Sequence, residues 1–180
     1  MEIDIPVMGK YLPHLCLIII LVFLSAPLAI LSASTEDYFV LGDPGYLPNS
    51  VWYALEITKE RIIIVFTLSN LAKSDKLLMF SSERISEAAK MAQDKDKNNT
   101  QKALERYTNT IEESANRISD CDESNEKTKQ QIEKIKKTLE LQINELSRIR
   151  DESNEDLKGD FDKAINKAEE IKNETCERVP

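Results

Sequence analysis

Apolar residues recur along this chain in two different rhythms. From Leu12 to Ala33 no charged residue occurs, and Leu15 to Leu24 is apolar at every position. About 20 consecutive apolar residues match the hydrocarbon thickness of a bilayer. Residues 12–33 are therefore predicted to form a transmembrane helix, with Pro27 tolerated because neighbouring groups satisfy the freed carbonyl. A buried core helix is the competing reading, but little else in the chain could cover a helix that is apolar on every face.

Beyond this run the rhythm becomes helical. Residues Thr35 to Pro48 read as a linker, broken by Gly42, Pro44, Gly45 and Pro48. A helix over Val51–Leu68 follows, with Asn49 or Ser50 as its cap. Trp52, Leu55, Ile62 and Phe66 recur at spacings of three, four and seven residues, and Lys59 and Arg61 lie between them. Ile62 to Phe66 is apolar all round, which predicts a helix covered on several sides. A short strand at Ile62–Thr67 is the alternative, opposed by the helical period before it. The next helix spans Leu71–Gln93, with Leu77, Phe80, Ile85, Ala88, Ala89, Met91 and Ala92 as its apolar face. Asp94–Asn99 reads as a turn.

From Thr100 a heptad sets in. Leu104, Ile111, Ile118, Asn125, Ile132, Leu139 and Leu146 hold one position, and Tyr107, Ser114, Cys121, Thr128, Ile135, Gln142 and Ile149 hold its companion. One phase persists from Leu104 to Ile149 with no Pro or Gly, which predicts a long coiled-coil-like helix. A break near Asp122–Asn125 is the competing reading. A last helix over Glu155–Glu174 carries Leu157, Phe161, Ala164, Ile165, Ala168 and Ile171 on one face. The fold class is thus all-α. Four segments are expected: a membrane anchor or signal (1–34), a linker (35–48), a helical bundle (49–116) and an amphipathic coiled-coil-like extension (117–180).

Composition narrows the function. The chain has 180 residues, a net charge of −8 and only four Gly. Acidic and basic residues alternate, and the absence of a basic stripe argues against nucleic-acid binding. The only histidine, His14, borders the apolar run, which removes histidine metal sites and histidine base catalysis from the rest. No loops rich enough to build a catalytic cleft are evident. Lys10 precedes the apolar run and Glu36 and Asp37 follow it, which places the N-terminus in the cytoplasm and residues beyond 34 outside it. Ser32-Ala33-Ser34 is a candidate signal-cleavage site.

Four local features carry possible chemistry. Asp94, Asp96, Asn98, Thr100 and Glu105 occupy positions one, three, five, seven and twelve of an EF-hand loop, although Asn99 stands where the sharp turn wants Gly. The alternative is a polar turn capped by Asn99 or Thr100. Glu60-Arg61 and Glu83-Arg84 are placed to pair between helices as exposed ion pairs, which contribute at most ~1 kcal/mol and chiefly set register. Asn98-Asn99-Thr100 and Asn173-Glu174-Thr175 match the glycosylation tripeptide. An intrachain Cys121–Cys176 bridge requires a helix break around Cys121. With a continuous helix the two lie ~15 Å out of register, beyond the ~7 Å a disulfide spans.

Four segments carry a family resemblance: Leu47-Pro48-Asn49-Ser50-Val51-Trp52-Tyr53, Glu60-Arg61, Phe66-Thr67-Leu68, and Ser81-Ser82-Glu83-Arg84-Ile85-Ser86-Glu87. They resemble a prokaryotic family catalogued as domain of unknown function 5667, over Leu47 to Glu113. Asn49, Val51 and Ser81–Ser82 depart from its pattern of Asp, Pro and Ala-Glu. The resemblance implies a short helix against a helical hairpin, following a signal or anchor, with residues from Arg117 as an added extension. It implies no activity.

The expected protein is therefore a non-enzymatic, membrane-anchored, extracytoplasmic helical protein with a structural or interaction role. It needs no cofactor, metal or small-molecule substrate. It meets the membrane through its N-terminal helix and a second copy or partner helix through the heptad face. On that view truncation after Asn116 leaves a folded bundle. A calcium-binding module using Asp94 to Glu105, a secreted helical protein released by signal cleavage, and a membrane-associated hydrolase are the alternatives.

Overall fold

The heptad face is buried, but within a single chain. The computed structural model of the protein describes residues 44–119, 121, 122 and 124–177, with the side chains of residues 176 and 177 outside that set. Among them five helices form: α1 (Tyr53–Phe66), α2 (Asn70–Gln93), α3 (Lys97–Ser119), α4 (Glu126–Glu152) and α5 (Glu155–Glu177). No strand occurs among the described residues, so Ile62–Thr67 is helix up to Phe66. The predicted transmembrane run, its cleavage site and most of the linker lie outside the described residues. Among those described, no helix is long and apolar enough to cross a membrane.

The long coiled-coil-like helix is not formed. Residues between Ser119 and Glu126 break it into α3 and α4. The cause is side-chain capture of backbone donors. Asp122 Oδ1 accepts from the Ser124 N–H at 2.9 Å and from its hydroxyl at 2.7 Å. Asn125 then caps α4 by accepting from the Lys127 N–H at 2.9 Å. Short polar side chains offer the backbone this alternative to helix, and a capped start needs neither Pro nor Gly.

With the break, α4 and α5 fold back and pack on each other, α4 packs on α2, and α5 packs on α3. A four-helix bundle results. Asp75 of α2 pairs with Lys134 of α4, and Ser81 with Gln142, so these helices run parallel. Lys97 meets Asp156 at 3.6 Å and Glu112 meets Lys167 at 3.4 Å, so α3 and α5 run parallel as well. The α3–α4 connection crosses one end of the bundle diagonally, which makes both side pairs parallel.

Every described heptad residue except Cys121 and Asn125, at the break, is buried. Leu104, Ile111, Ile118, Ile132, Leu139 and Leu146 join Phe161, Ala164 and Ile171 of α5 and Leu78, Ile85 and Ala88 of α2 in one core. That core runs across the expected boundary between residues 116 and 117, which falls inside α3. A polar layer fixes register within it: Gln142 Nε2 donates to Ser81 Oγ at 2.7 Å and to Ser82 Oγ at 3.1 Å. Truncation after Asn116 should therefore leave Leu104 and Ile111 uncovered and abolish a cooperative thermal transition by circular dichroism, contrary to the expectation from sequence. Leu139→Ala, at a fully buried site, should lower unfolding free energy by about 3 kcal/mol in a denaturant titration.

Candidate functional site

The first helix is held to the bundle by charge. Tyr53 is the only residue of α1 that is buried. Its hydroxyl donates to Glu87 Oε2 at 2.7 Å and accepts from Arg84 Nη1 at 2.9 Å. Arg84, only 1 % exposed at the middle of α2, also donates through Nη2 to Glu60 Oε1 of α1. Nη1 lies 2.8 Å from Glu87 Oε1 as an ion pair, outside hydrogen-bond geometry. Glu83 stands 3.5 Å from Nη2 at the rim. From α3, Arg106 sits over the Tyr53 ring at 4.8 Å, a cation–π contact on the opposite partner helix.

One guanidinium thus serves three carboxylates. Burial pushes both Glu60 and Glu87 up from 4.5 to about 7, against the pull of Arg84. Burial also raises the Glu83 carboxyl, though Arg84 opposes it, and raises the Tyr53 hydroxyl. Near neutral pH the network therefore retains protons that the unfolded chain would release. Removing one partner from a buried ionic network strands a charge and costs about 3–5 kcal/mol, well beyond what an exposed pair contributes. The expectation of exposed pairs fails here: Glu60 and Arg84 do meet across helices, but inside the protein, while Arg61 stays exposed.

The network fixes which way α1 faces. Leu55, Ile62 and Phe66 lie on one stripe of the helix, at i, i+7 and i+11, with Val65 beside them. All four are exposed, Val65 by 72 % and Phe66 by 77 %, and Leu68 just beyond is 97 % exposed. The expectation that Ile62–Phe66 is covered on several sides does not hold among the described residues. The inward side carries the polar Tyr53 and Glu60, with Ile57, Ile63 and Ile64 half-buried. Before the helix, Glu56 Oε2 accepts from the Tyr46 N–H at 3.0 Å. Gly45 there has φ +60, and a Cβ on it would stand 2.5 Å from Glu56 Oε1. Ser50 accepts from the Trp52 N–H at 3.2 Å and so caps the turn before α1, not the helix itself.

The other sequence candidates do not converge. Asp94 ends α2, Lys95 turns with φ 59, and Asp96 opens α3 by accepting from the Asn99 N–H at 3.2 Å and its side-chain amide at 2.7 Å. Asp96, not Asn99 or Thr100, is thus the cap. Asn98, Thr100 and Glu105 already lie within α3, where each residue advances ~1.5 Å along the axis. Glu105 is thereby carried roughly 13 Å from Asp96, and the five positions cannot surround one cation. No group of three His, Cys, Asp or Glu side chains suited to a metal occurs among the described residues. Cys121 Sγ approaches the Arg117 carbonyl at 3.5 Å. The Cys176 side chain, and with it the proposed pairing, lies outside the described set. A groove of about 350 Å3 between α3 and α5 is lined by Gln101, Glu105, Glu112, Asp160, Lys163 and Lys167, most of which pair with one another.

The raised carboxylates have a signed consequence for stability. Glu87 binds a proton in the folded chain between about 4.5 and about 7 that it loses on unfolding, so stability from this site is full below pH 4.5 and declines as pH rises through 7. Glu87→Gln keeps the shape and removes the titration. Chemical denaturation from pH 4.5 to 8 should show the wild type losing on the order of 2 kcal/mol more than this variant across that range.

Tyr53, Glu60, Arg84 and Glu87 all fall in the segments that carry the family resemblance. A family model described as Domain of unknown function (DUF5667) matches residues 45–145. No curated protein and no solved structure gives a match. The match takes in α1, α2 and α3 and most of α4, well past Glu113, so α4 is largely family sequence and not an added extension. It also includes Gln142, which partners the two serines at the pattern's departure, Ser81 and Ser82. Because the match covers more than half of the 180 residues, the chain belongs to the domain of unknown function 5667 family.

Proposed function

We propose that this chain is a non-enzymatic helical protein tethered to the outer face of a membrane through residues 12–33, with a structural or interaction role exercised through α1. The observation that carries this reading is the outward apolar stripe of α1, presented on a helix whose opposite side is pinned by a buried arginine. A contiguous apolar patch on an otherwise charged surface marks a contact site. The heptad positions, by contrast, are buried in the chain's own core. A partner surface therefore belongs on α1 and not on the heptad face.

The tether is supported by the uncharged run Leu12–Ala33, which ten intervening residues separate from the first described residue, Pro44. The bundle is supported as a scaffold by its seam of paired surface charges between α3 and α5.

Membrane fractionation with an alkaline wash, combined with N-terminal sequencing, tests the proposal. The full chain should stay in the pellet, keep its N-terminus, and be digested from outside in intact cells. Recovery as a soluble species that begins near Ser34 would replace the tether with secretion. Recovery as an intact soluble cytosolic protein would overturn the proposal.

A further inference from the structure

Only two charged side chains of α1 are exposed, and both are basic. Lys59 and Arg61 point to solvent, while Glu56 and Glu60 are half-buried, Glu56 accepting from the Tyr46 N–H and Glu60 from Arg84. This sorting occurs in a chain of net charge −8, so it is local to this helix. The exposed surface of α1 combines aliphatic and aromatic side chains with a cationic fringe. Trp52 and Tyr46, both more than half exposed, stand at its leading end. Trp and Tyr rings, and Lys and Arg side chains whose stems snorkel along apolar surface, suit the boundary between lipid and water.

Chain length agrees. Residues 34–43 separate the end of the apolar run from Pro44, and ten residues reach at most ~35 Å when fully extended. The turn at Gly45 and the Tyr46–Glu56 bond hold residues 45 and 46 against the first turn of α1. Among the described helices, α1 carries four exposed large apolar residues, against Met79 alone on α2 and Leu141 alone on α4, and it is the helix nearest in sequence to the proposed tether. A second copy is a poorer occupant. Self-pairing of this stripe brings Lys59 and Arg61 of one copy towards those of the other, whereas lipid phosphates complement them.

We infer that the outward face of α1 lies on the lipid surface of the membrane that holds the chain, with Leu55, Ile62, Val65 and Phe66 at the acyl boundary and Lys59 and Arg61 at the phosphates. The inference rests on the proposed tether. In this arrangement the Arg84 network sets the bundle's orientation on the membrane, because it decides which side of α1 meets lipid.

Trp52 is the only tryptophan in the chain, which makes it a reporter. The full chain is reconstituted in phosphatidylcholine vesicles with and without brominated acyl chains. Bromolipid should quench Trp52 emission by roughly half. Ile62→Asn with Phe66→Asn should remove most of that quenching while helicity and resistance to an alkaline wash stay unchanged. Trp52 open to aqueous acrylamide and unquenched by lipid would overturn the inference. So would Trp52 shielded from both quenchers, which would indicate cover by a second copy or by residues 1–43. The two readings fail separately: a chain that resists the wash with Trp52 unquenched keeps the tether and loses the lipid contact, and a chain that washes off yet is quenched before the wash does the reverse.

Discussion

A buried arginine needs partners, and that requirement organises α1. Arg84 is enclosed between α1 and α2, where an unpaired guanidinium would cost several kcal/mol. Its partners Glu60 and Tyr53 come from α1, and Glu87 from its own helix. Full burial of an Ile or Phe side chain contributes about 1.5–3 kcal/mol. Turning α1 to bury Ile62 and Phe66 would therefore gain a comparable sum, but it would withdraw Glu60 and Tyr53 and strand the charge on Arg84. The ionic network holds the apolar face outward.

The bundle beneath obeys a different constraint. Its two hairpins are joined by a diagonal crossing, so hydrophobic faces alone could pair in several registers. Polar contacts select one of them. Ser74 Oγ lies 2.9 Å from Ser114 Oγ between α2 and α3, and Gln142 reaches Ser81 and Ser82 between α2 and α4. Their geometry requires α4 to lie parallel to α2, which follows only because Asp122 and Asn125 end one helix and begin another within a few residues. The orientation of α1, in turn, is meaningful only because α2 is fixed on its other sides by α3 and α4.

Much of this was legible in the sequence. The ends of α1, α2 and α5 follow from apolar periodicity to within about three residues, whereas the periodicity joins α3 and α4 into one helix; within each of those two helices the heptad positions are buried. It cannot name what buries them: Leu104 and Leu139 look the same whether they face a second chain or their own hairpin. The decision between those outcomes rests on Asp122, Ser124 and Asn125, whose capping competes with helix propensity at only a few positions. The network at α1 was half visible. Glu60 and Arg84 could be paired from their places in the pattern, but their burial could not, because charged residues read as solvated. Tyr53 and Glu87 were missed as members of the site although both stand in the segments that carry the resemblance. The outward turn of Phe66 ran against its hydrophobicity and was not readable at all, since it depends on the partner demand of a residue 18 positions away.

Amide hydrogen exchange of α1 compared with the rest of the bundle, in the wild type and in Arg84→Met, tests the central claim most directly. The account predicts that Arg84→Met loses protection across Tyr53–Phe66 while the buried stretches of α3, α4 and α5 keep theirs. Protection of α1 that is unchanged by the substitution would show that something other than the buried arginine holds this helix and sets its face.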